Sequence, residues 1–382
     1  MSTSRFPVVA MLAAAVAAIY AWTVVALTPS HHGAIGLDLN ALGSDYTVFY
    51  SGAQYFFDGK LAQLFNGDQF TDFRNALFAN WLSSPSPFVP WVYPPSFLLL
   101  MLPFGALPFV ASYAAFQAVT ALLLALALNY RADRPEARPL VMVLALIGPA
   151  AAMNFGWGQN AFLATALLVG GFRLLPTRPV LGGIVLGLLT VKPQFWILVP
   201  VALVAARQWR ALVWSLIAAA ALAAASAAVF GIDLWRQWLE LALGGYWQSD
   251  AKWVGYARVW GMSVFATLFS TGVPGEWAEL GQWAATLIGA ALTYLGFRAR
   301  LPHDNRIAVL LACTILAAPH SSLHDLVLLA TAAALWMGAA AEDGATLPQW
   351  TLALAVWLTA LYNPPIVSPV GRLTPLLILA FV

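Results

Sequence analysis

The hydrophobic positions of this chain form long runs, several of which are close to the length of a membrane-spanning helix. The first run, Phe6 to Leu27, follows Arg5 and contains no clear small-residue cleavage site, so we interpret it as a retained first helix. A helix needs about 20 mostly apolar residues to cross a bilayer. The 382 residues therefore allow about ten to twelve such helices and one sizeable segment outside the membrane.

The segments that interrupt these runs are of two kinds. Short basic segments hold 11 of the 18 basic residues: Arg5, Arg131, Arg134, Arg138, Arg173, Arg178, Arg207, Arg210, Arg298, Arg300 and Arg306. The other segments are acidic, aromatic or rich in proline, and they are residues 28–93, 156–160, 231–276, 320–325 and 363–365. The positive-inside rule places the basic kind in the cytoplasm and the other kind on the extracytoplasmic face.

Two apolar stretches do not fit simple spans. Residues 94–108 number about 15, too few to cross comfortably at about 1.5 Å per residue, so we predict a re-entrant or membrane-surface helix, with 110–129 as the next span. Residues 182–206 are broken by Lys192-Pro193-Gln194. This break predicts two short helices that meet at a kink on the extracytoplasmic side.

The first external segment, 28–93, has helical spacing of its apolar residues, first over 46–53 and again over 70–81. Such amphipathic helices lie along a membrane surface. We find no internal repeat and no second soluble domain, so residues 1–382 are interpreted as one integral membrane domain.

Composition agrees with this pattern, because 61% of the residues are hydrophobic and only 9% are charged. A soluble domain carries about 25% charged residues. The net charge of +2 gives no reason to expect a nucleic-acid partner, and the single Cys313 excludes a disulfide framework or a cysteine-based zinc site. The predicted fold class is an all-α polytopic membrane protein.

Ionisable residues at membrane depth or on a cavity wall are functional candidates, because burying them is costly. Asp45, about eighteen residues beyond the first helix, is the first such candidate. Ser44 or Asp45 could instead cap the helix that follows. The two interpretations are compatible, since a capped helix start also holds a carboxylate in place.

Lys192 is a solitary cation in an otherwise apolar run. It needs an anion or a cluster of carbonyl groups nearby, and a compact ammonium suits a phosphate. The alternative is that Lys192 only marks a loop between two short spans.

His320, His324 and Asp325 form the third cluster. The two histidines are four residues apart, so on a helix they would share one face. A metal site is weakly indicated because the glutamate of the zinc-protease motif is missing. A pair that forms hydrogen bonds or contacts a phosphate at a cavity mouth is the favoured interpretation, and a structural role for either histidine stays open.

Gln159, Asn160 and Arg258 are further candidates for a cavity wall, as are Trp247, Trp253 and Trp260, although tryptophans are typical of an interfacial belt. The sequence lacks a phosphate-binding loop of the Walker type, a dinucleotide fingerprint and a serine-nucleophile motif. This combination suits a lipid-phosphate substrate at the outer face.

An ordered set of short motifs resembles glycosyltransferase family 87, within the GT-C superfamily of membrane enzymes. The motifs are Ser44-Asp45-Tyr46-Thr47-Val48-Phe49-Tyr50, Gly59, Tyr93-Pro94-Pro95, Gly158-Gln159-Asn160, Gly183 through Lys192-Pro193-Gln194, and His324-Asp325-Leu326. The resemblance extends from the first helix to about residue 340. Tyr46 stands where many relatives have phenylalanine, and the last helix, from Arg372, is short.

The resemblance implies a GT-C-type fold with a large first external loop that carries the catalytic acid. Asp45 would be the general base on an acceptor hydroxyl, and the anomeric centre would invert. Lys192 would lie near the lipid phosphate of the donor, with His324 and Asp325 at the cavity. The donor-phosphate and substrate-binding set is His320, His324, Asp325, Lys192, Arg258, Tyr93, Gln159, Asn160 and Gln194.

The expected activity is transfer of a hexose, mannose by resemblance, from a polyprenyl-phosphate donor to a glycolipid or glycan acceptor. We expect no metal or other cofactor, no nucleic-acid partner, and a multi-pass location in the inner (plasma) membrane with an extracytoplasmic active site. The alternatives are a flippase, ligase or transporter of lipid-linked sugars, or a membrane scaffold. A transporter often shows paired broken helices in an internal repeat, which this sequence lacks.

Overall fold

The computed structural model describes residues 6–26, 42–82, 84–86, 88–243, 261–361 and 373–382. Regular structure in these ranges is helical, apart from one isolated antiparallel bridge between Gly261 and Ser322. The α-helices are α1 (Phe6–Ala26), α2 (Tyr46–Phe57), α3 (Gly67–Leu77), α4 (Pro95–Gly105), α5 (Phe109–Asn129), α6 (Arg138–Ile147), α7 (Pro149–Trp157), α8 (Ala161–Leu174), α9 (Pro179–Leu188), α10 (Pro193–Trp196), α11 (Val199–Ala205), α12 (Trp209–Phe230), α13 (Ile232–Leu243), α14 (Val264–Ser270), α15 (Gly275–Arg298), α16 (His303–Ala317), α17 (Leu326–Asp343), α18 (Leu347–Trp357) and α19 (Thr374–Phe381). Short 3₁₀ turns cover Leu61–Gln63, Leu189–Val191, Leu323–Asp325 and Thr359–Leu361.

Three helical stretches of the described chain are long and apolar enough to cross a membrane unaided: α5, α12 and Leu323–Asp343. The pair α6 and α7, bent by 45° at Gly148-Pro149, qualifies as a fourth if it is one span. These features confirm an all-α polytopic membrane protein. The expected number of ten to twelve spans stays a prediction, because several other apolar helices are shorter than a full span.

The helix α17 is the centre of the molecule. In the 18-residue apolar stretch of Leu323–Asp343, 94% of the residues are buried, whereas the corresponding stretches of α5 and α12 are 28% and 17% buried. The helix α17 packs against α6, α8, α16 and α18, and small residues such as Ala332, Ala333 and Ala334 allow these neighbours to approach closely. Large apolar side chains of α5 and α12 remain exposed, as expected of helices that face lipid.

The predicted break at Lys192 is confirmed. The helix α9 and the 3₁₀ turn Leu189–Val191 end there, and α10 begins at Pro193. Proline lacks a backbone N–H and disfavours helical backbone in the residue before it. Lys192 is accordingly non-helical, with φ −134° and ψ 76°.

The helix α4 has 11 residues and so is about 16 Å long, roughly half of a bilayer core. Its shortness agrees with the sequence prediction for 94–108, whereas its position relative to a bilayer stays a prediction. The helices α2 and α3 also form where the spacing predicts them. The helix α2 packs on α4, where Gln54 Nε2 donates to the carbonyl of Gly105 at 2.8 Å.

The structure corrects the expectation that Arg173 lies in a cytoplasmic loop. Arg173 was assigned to a basic loop, but it lies in the last turn of α8 and is 1% exposed. Its guanidinium donates to Asp304 Oδ1 at 2.7 Å and 3.0 Å and to the carbonyl of Ala127. Arg173 is therefore a buried ion-pair partner that joins α8 to α5 and α16, because α8 places it against the end of α5.

The helices α9 and α12 pack closely through two glycines. A Cβ added at Gly183 would lie 2.3 Å from the carbonyl oxygen of Ala211, and one at Gly187 would lie 2.4 Å from that of Ser215. These obstacles are backbone atoms, so the two helices would have to separate.

We expect Gly183→Ala to lower the free energy of unfolding by about 1–3 kcal/mol, because it overpacks this helix contact. Thermal unfolding of the purified protein in detergent measures the change. Gly275→Ala is the matched control, since the nearest atom to its added Cβ is 4.0 Å away. Equal unfolding temperatures for the two variants would contradict the predicted role of the contact.

Candidate active site

Asp45 lies in a turn that docks onto the end of α7. The backbone N–H of Gly43 donates to the carbonyl of Gly156 at 2.7 Å, and that of Asp45 donates to the carbonyl of Trp157 at 3.0 Å. The Asp45 carboxylate then accepts a hydrogen bond at Oδ2 from Gln159 Nε2 at 2.9 Å. Backbone and side chain together fix the position of this carboxylate.

The capping interpretation of Asp45 is only half right. Asp45 occupies the N-cap position of α2, but neither its carboxylate nor any other side chain makes a capping hydrogen bond there. Its backbone is helical, with φ −74° and ψ −30°, whereas a capping residue typically has an extended backbone. The carboxylate is turned towards Gln159 instead.

The turn at 158–160 is held by a buried polar network. Gly158 has φ +78°, and a Cβ there would lie 2.5 Å from Cβ of Tyr46, so both conformation and space require glycine. Gln117 donates to the carbonyl of Gln159 at 3.0 Å, and Asn154 donates to Gln117 Oε1 at 3.2 Å. The network makes the turn rigid, because its buried polar groups satisfy one another.

The turn connects Asp45 to Lys192 through neighbouring residues. Asn160 Oδ1 accepts a hydrogen bond from Lys192 Nζ at 2.9 Å, and Tyr93 donates to Gln159 Oε1 at 3.4 Å. Lys192 is 3% exposed, and its ammonium lies 4.7 Å from the centre of the Phe195 ring. It is thus a buried charge at the helix break, and it has specific partners.

Asp325 is the anion that Lys192 requires. Its Oδ1 accepts a hydrogen bond from Lys192 Nζ at 2.5 Å, and its Oδ2 accepts from the backbone N–H of Ser322 at 2.9 Å in a capping box. The ammonium has three N–H donors. Two are used, which leaves one donor without an acceptor among the residues that the structure describes.

His324 completes the group. Its Nε2 lies 3.5 Å from Asp325 Oδ1, and its ring packs edge-on against Trp157 with centroids 5.9 Å apart. Its Nδ1 is buried and has no hydrogen-bond partner within the described part of the chain. A buried nitrogen in this state is suited to a ligand, because leaving it unsatisfied is costly.

The expectation for His320 is corrected. The two histidines do not share a helix face, because α16 ends at Ala317 before Pro319 and the 3₁₀ turn begins only at Leu323. His320 therefore lies on a non-helical connection, and its role as a substrate contact stays a prediction. Among the described residues there is no group of three His, Cys, Asp or Glu side chains that could hold a metal ion.

One further described candidate lies outside these contacts. Gln194 is half-buried on α10, and its side chain has no place in the hydrogen-bond chain that the described residues form. Arg258 lies outside the described residues, as do Trp247, Trp253 and Trp260.

Sequence reasoning missed three residues of this site. Gln117 and Asn154 lie in apolar runs, and a lone amide in a predicted span was a signal of a buried network. Arg74 is 3% exposed and contacts the turn on both sides of Asp45. A lone arginine between the aromatic residues of an amphipathic helix was its only signal.

The structure thus defines an all-helical membrane protein with a polar site built from half-buried Asp45 and from buried Gln159, Asn160, Lys192, Asp325 and His324. The model of glycosyltransferase family 87 matches residues 91–319. This range is more than half of the chain, which therefore belongs to that family and is a membrane glycosyltransferase. Neither the comparison with curated proteins nor that with solved structures gave a match.

The matched range covers only part of the site. It contains Gln159, Asn160 and Lys192, whereas Asp45 precedes it and Asp325 follows it. The hydrogen bonds from Gln159 to Asp45 and from Lys192 to Asp325 join these outer residues to the matched ones.

We expect Lys192→Met and Asp325→Asn each to destabilise the protein by about 3–5 kcal/mol, because each leaves a buried charge uncompensated. The double variant should lose clearly less than the sum of the two. Thermal unfolding in detergent of the wild-type protein, the two single variants and the double variant measures the coupling free energy between Lys192 and Asp325. Lys60→Met and Asp58→Asn, at an exposed ion pair, are the matched controls and should stay within about 0.5 kcal/mol.

Strict additivity of the Lys192 and Asp325 effects would contradict a coupled pair. Comparing the activity of the same variants with their stability also separates a structural role of Lys192 from a role in catalysis. If Lys192 binds the substrate as well, the double variant regains folding without regaining activity.

Proposed function

We propose that this protein transfers a hexose, with mannose as the first candidate, from a polyprenyl-phosphate donor to a hydroxyl of a glycolipid or glycan acceptor. The observation that carries the proposal is the continuous set of contacts from Asp45 through Gln159 and Asn160 to Lys192, Asp325 and His324. These contacts support the proposal because the residues proposed as base and as phosphate contacts are connected to one another, and membership of glycosyltransferase family 87 supports a transferase.

Asp45 is the proposed general base. The acceptor oxygen attacks the anomeric carbon, the bond from that carbon to the phosphate oxygen breaks, and the hydroxyl proton passes to the Asp45 carboxylate. A single displacement of this kind inverts the anomeric centre. The hydrogen bond from Gln159 supports the role, because it orients a carboxylate that would otherwise rotate.

Lys192 and His324 are the proposed contacts of the leaving phosphate. Lys192 has one N–H donor beyond those bound to Asn160 and Asp325, and His324 offers Nδ1. Preorganised polar groups at a low-dielectric site stabilise charge that develops in the transition state. Asp325 neutralises Lys192, so the pair carries no net charge. The ammonium would therefore stabilise the leaving phosphate mainly through one directed hydrogen bond.

The remaining binding candidates have secondary roles in the proposal. Tyr93 contacts Gln159 and would shape the acceptor side, whereas His320, Gln194 and Arg258 are proposed as further substrate contacts. The absence of a metal or other cofactor requirement is part of the proposal and is tested by turnover in the presence of a chelator.

The proposed location is the inner membrane, with the site on the extracytoplasmic face. Asn160 and Arg173 lie at opposite ends of α8, about 20 Å apart along its axis. Asp325 and Asp343 likewise lie at opposite ends of α17, where Asp343 binds Arg134. The site and the arginine-rich loops are therefore at opposite ends of these helices, and the positive-inside rule assigns the arginine end to the cytoplasm.

We expect Asp45→Asn to reduce transfer by at least about 100-fold, because the amide removes the proton acceptor. The measurement is transfer by the purified protein from polyprenyl-phosphate mannose to extracted membrane glycolipids, followed by mass spectrometry. Asp72→Asn is the matched control, since this carboxylate is exposed on α3 of the same external segment.

Near wild-type turnover of Asp45→Asn would overturn the role of Asp45. Failure of the wild-type protein with mannose, but turnover with another polyprenyl-phosphate sugar, would revise only the sugar. Movement of the donor across vesicles without any transfer would instead favour a flippase or transporter.

A further inference from the structure

Arg74 is a buried cation that the reaction outlined above does not use. It lies in the last turn of α3 and is 3% exposed, whereas Lys60 of the same external segment has a side chain that is 48% exposed. A buried arginine is costly unless its donors are satisfied. Its partners therefore indicate why it is there.

The guanidinium of Arg74 contacts the chain immediately before and after Asp45. Its Nε donates to Thr47 Oγ1 at 2.6 Å, and its Nη2 donates to the carbonyl of Ser44 at 3.1 Å. The Thr47 hydroxyl also donates to the carbonyl of Ser44 at 2.5 Å. The guanidinium, the hydroxyl and the carbonyl thus close around the turn that carries Asp45.

The other side of the guanidinium is held by the segment that follows α3. Its Nη1 donates to Ser86 Oγ at 2.7 Å, and Asn75 binds both the backbone N–H and the carbonyl of Ser86. The planar fork of arginine makes such directed contacts on several sides at once, which a lysine cannot do. Arg74 is therefore held between the Asp45 turn and a rigid support.

Arg74 and Asp45 also attract each other. Burial lowers the pKa of Arg74 to about 10, and the charge of Asp45 opposes this shift. Arg74 therefore remains charged at neutral pH. Among the described residues, the hydrogen-bond chain also leads from Asp45 to the charged pair Lys192 and Asp325, which lie beyond Asn160 and neutralise each other. Tyr46, next to Asp45, is buried and bonded to Ser112.

We propose that Arg74 is a positioning residue for the Asp45 base: it fixes the Ser44–Thr47 turn and brings a positive charge to the turn that carries the carboxylate. This inference rests on the proposed role of Asp45. It adds that the first external segment contributes a second charged residue to the reaction, although Arg74 itself touches neither substrate.

The test compares Arg74→Gln and Arg74→Lys with the wild-type protein in the transfer assay as a function of pH. We expect Arg74→Gln to lower kcat about 10- to 100-fold, with the KM for the donor changed less than about three-fold. The acid limb of kcat should move up by about one pH unit, because loss of a nearby positive charge favours the protonated carboxyl. Arg74→Lys should keep the acid limb and lose only part of kcat.

Arg236→Gln is the matched control, because this arginine forms an exposed ion pair with Asp233. It should change neither kcat nor the acid limb. If Arg74→Gln does not fold, the kcat values of Thr47→Val and Ser86→Ala provide the test instead. The first removes the Nε acceptor beside Asp45 and should lower kcat about ten-fold, whereas the second removes only the distant Nη1 acceptor and should lower kcat clearly less.

An unmoved acid limb in a folded Arg74→Gln variant, or equal kcat values for Thr47→Val and Ser86→Ala, would overturn the proposal. Either result could occur while Asp45→Asn remains inactive, which would leave the proposed function intact. Activity of Asp45→Asn would instead remove the proposed function itself.

Discussion

The Lys192–Asp325 ion pair is the interaction on which the rest of the site depends. Either charge alone would be untenable in this apolar interior, and the pair is kept by a short hydrogen bond and by Asn160. Lys192 needs the helix break before Pro193 to reach its partners, and Asp325 is held by the capping box of the 3₁₀ turn that precedes α17. One electrostatic requirement thus fixes a broken span, a turn and the start of the central helix relative to one another.

A second buried pair, between Arg173 and Asp304, fixes the other end of the same helices. The helix α8 begins beside Asn160 and carries Arg173 in its last turn, so its two ends bind polar partners in opposite parts of the protein. Between the two pairs the contacts are apolar and include close glycine and alanine packing. This arrangement gives directional contacts to a fold whose apolar packing alone has little orientational specificity, because lipid and core side chains are equally apolar.

Much of the fold could be predicted from the order of apolar runs and breaks. The hydrophobic pattern correctly placed the span α5, the short helix α4, the break at Lys192 and the helices α2 and α3. The shared face of His320 and His324 was wrong, because spacing indicates a common face only if the chain is helical, and Pro319 and the Ser322 capping box interrupt it. Arg173 was misassigned because a run of residues does not reveal whether a charge near its end has a buried partner.

The sequence by itself determined that this is a membrane protein. It also indicated that burying a few polar residues, Asp45 and Lys192 among them, costs enough free energy to make them functional candidates. Hydropathy and charge are local properties, so they can be read along the chain. Only the tertiary structure decided which of these residues meet, since Asp45 and Gln159 are 114 positions apart and Lys192 and Asp325 are 133 apart. It also revealed Arg74, whose burial comes from contacts with a turn that its own helix does not contain.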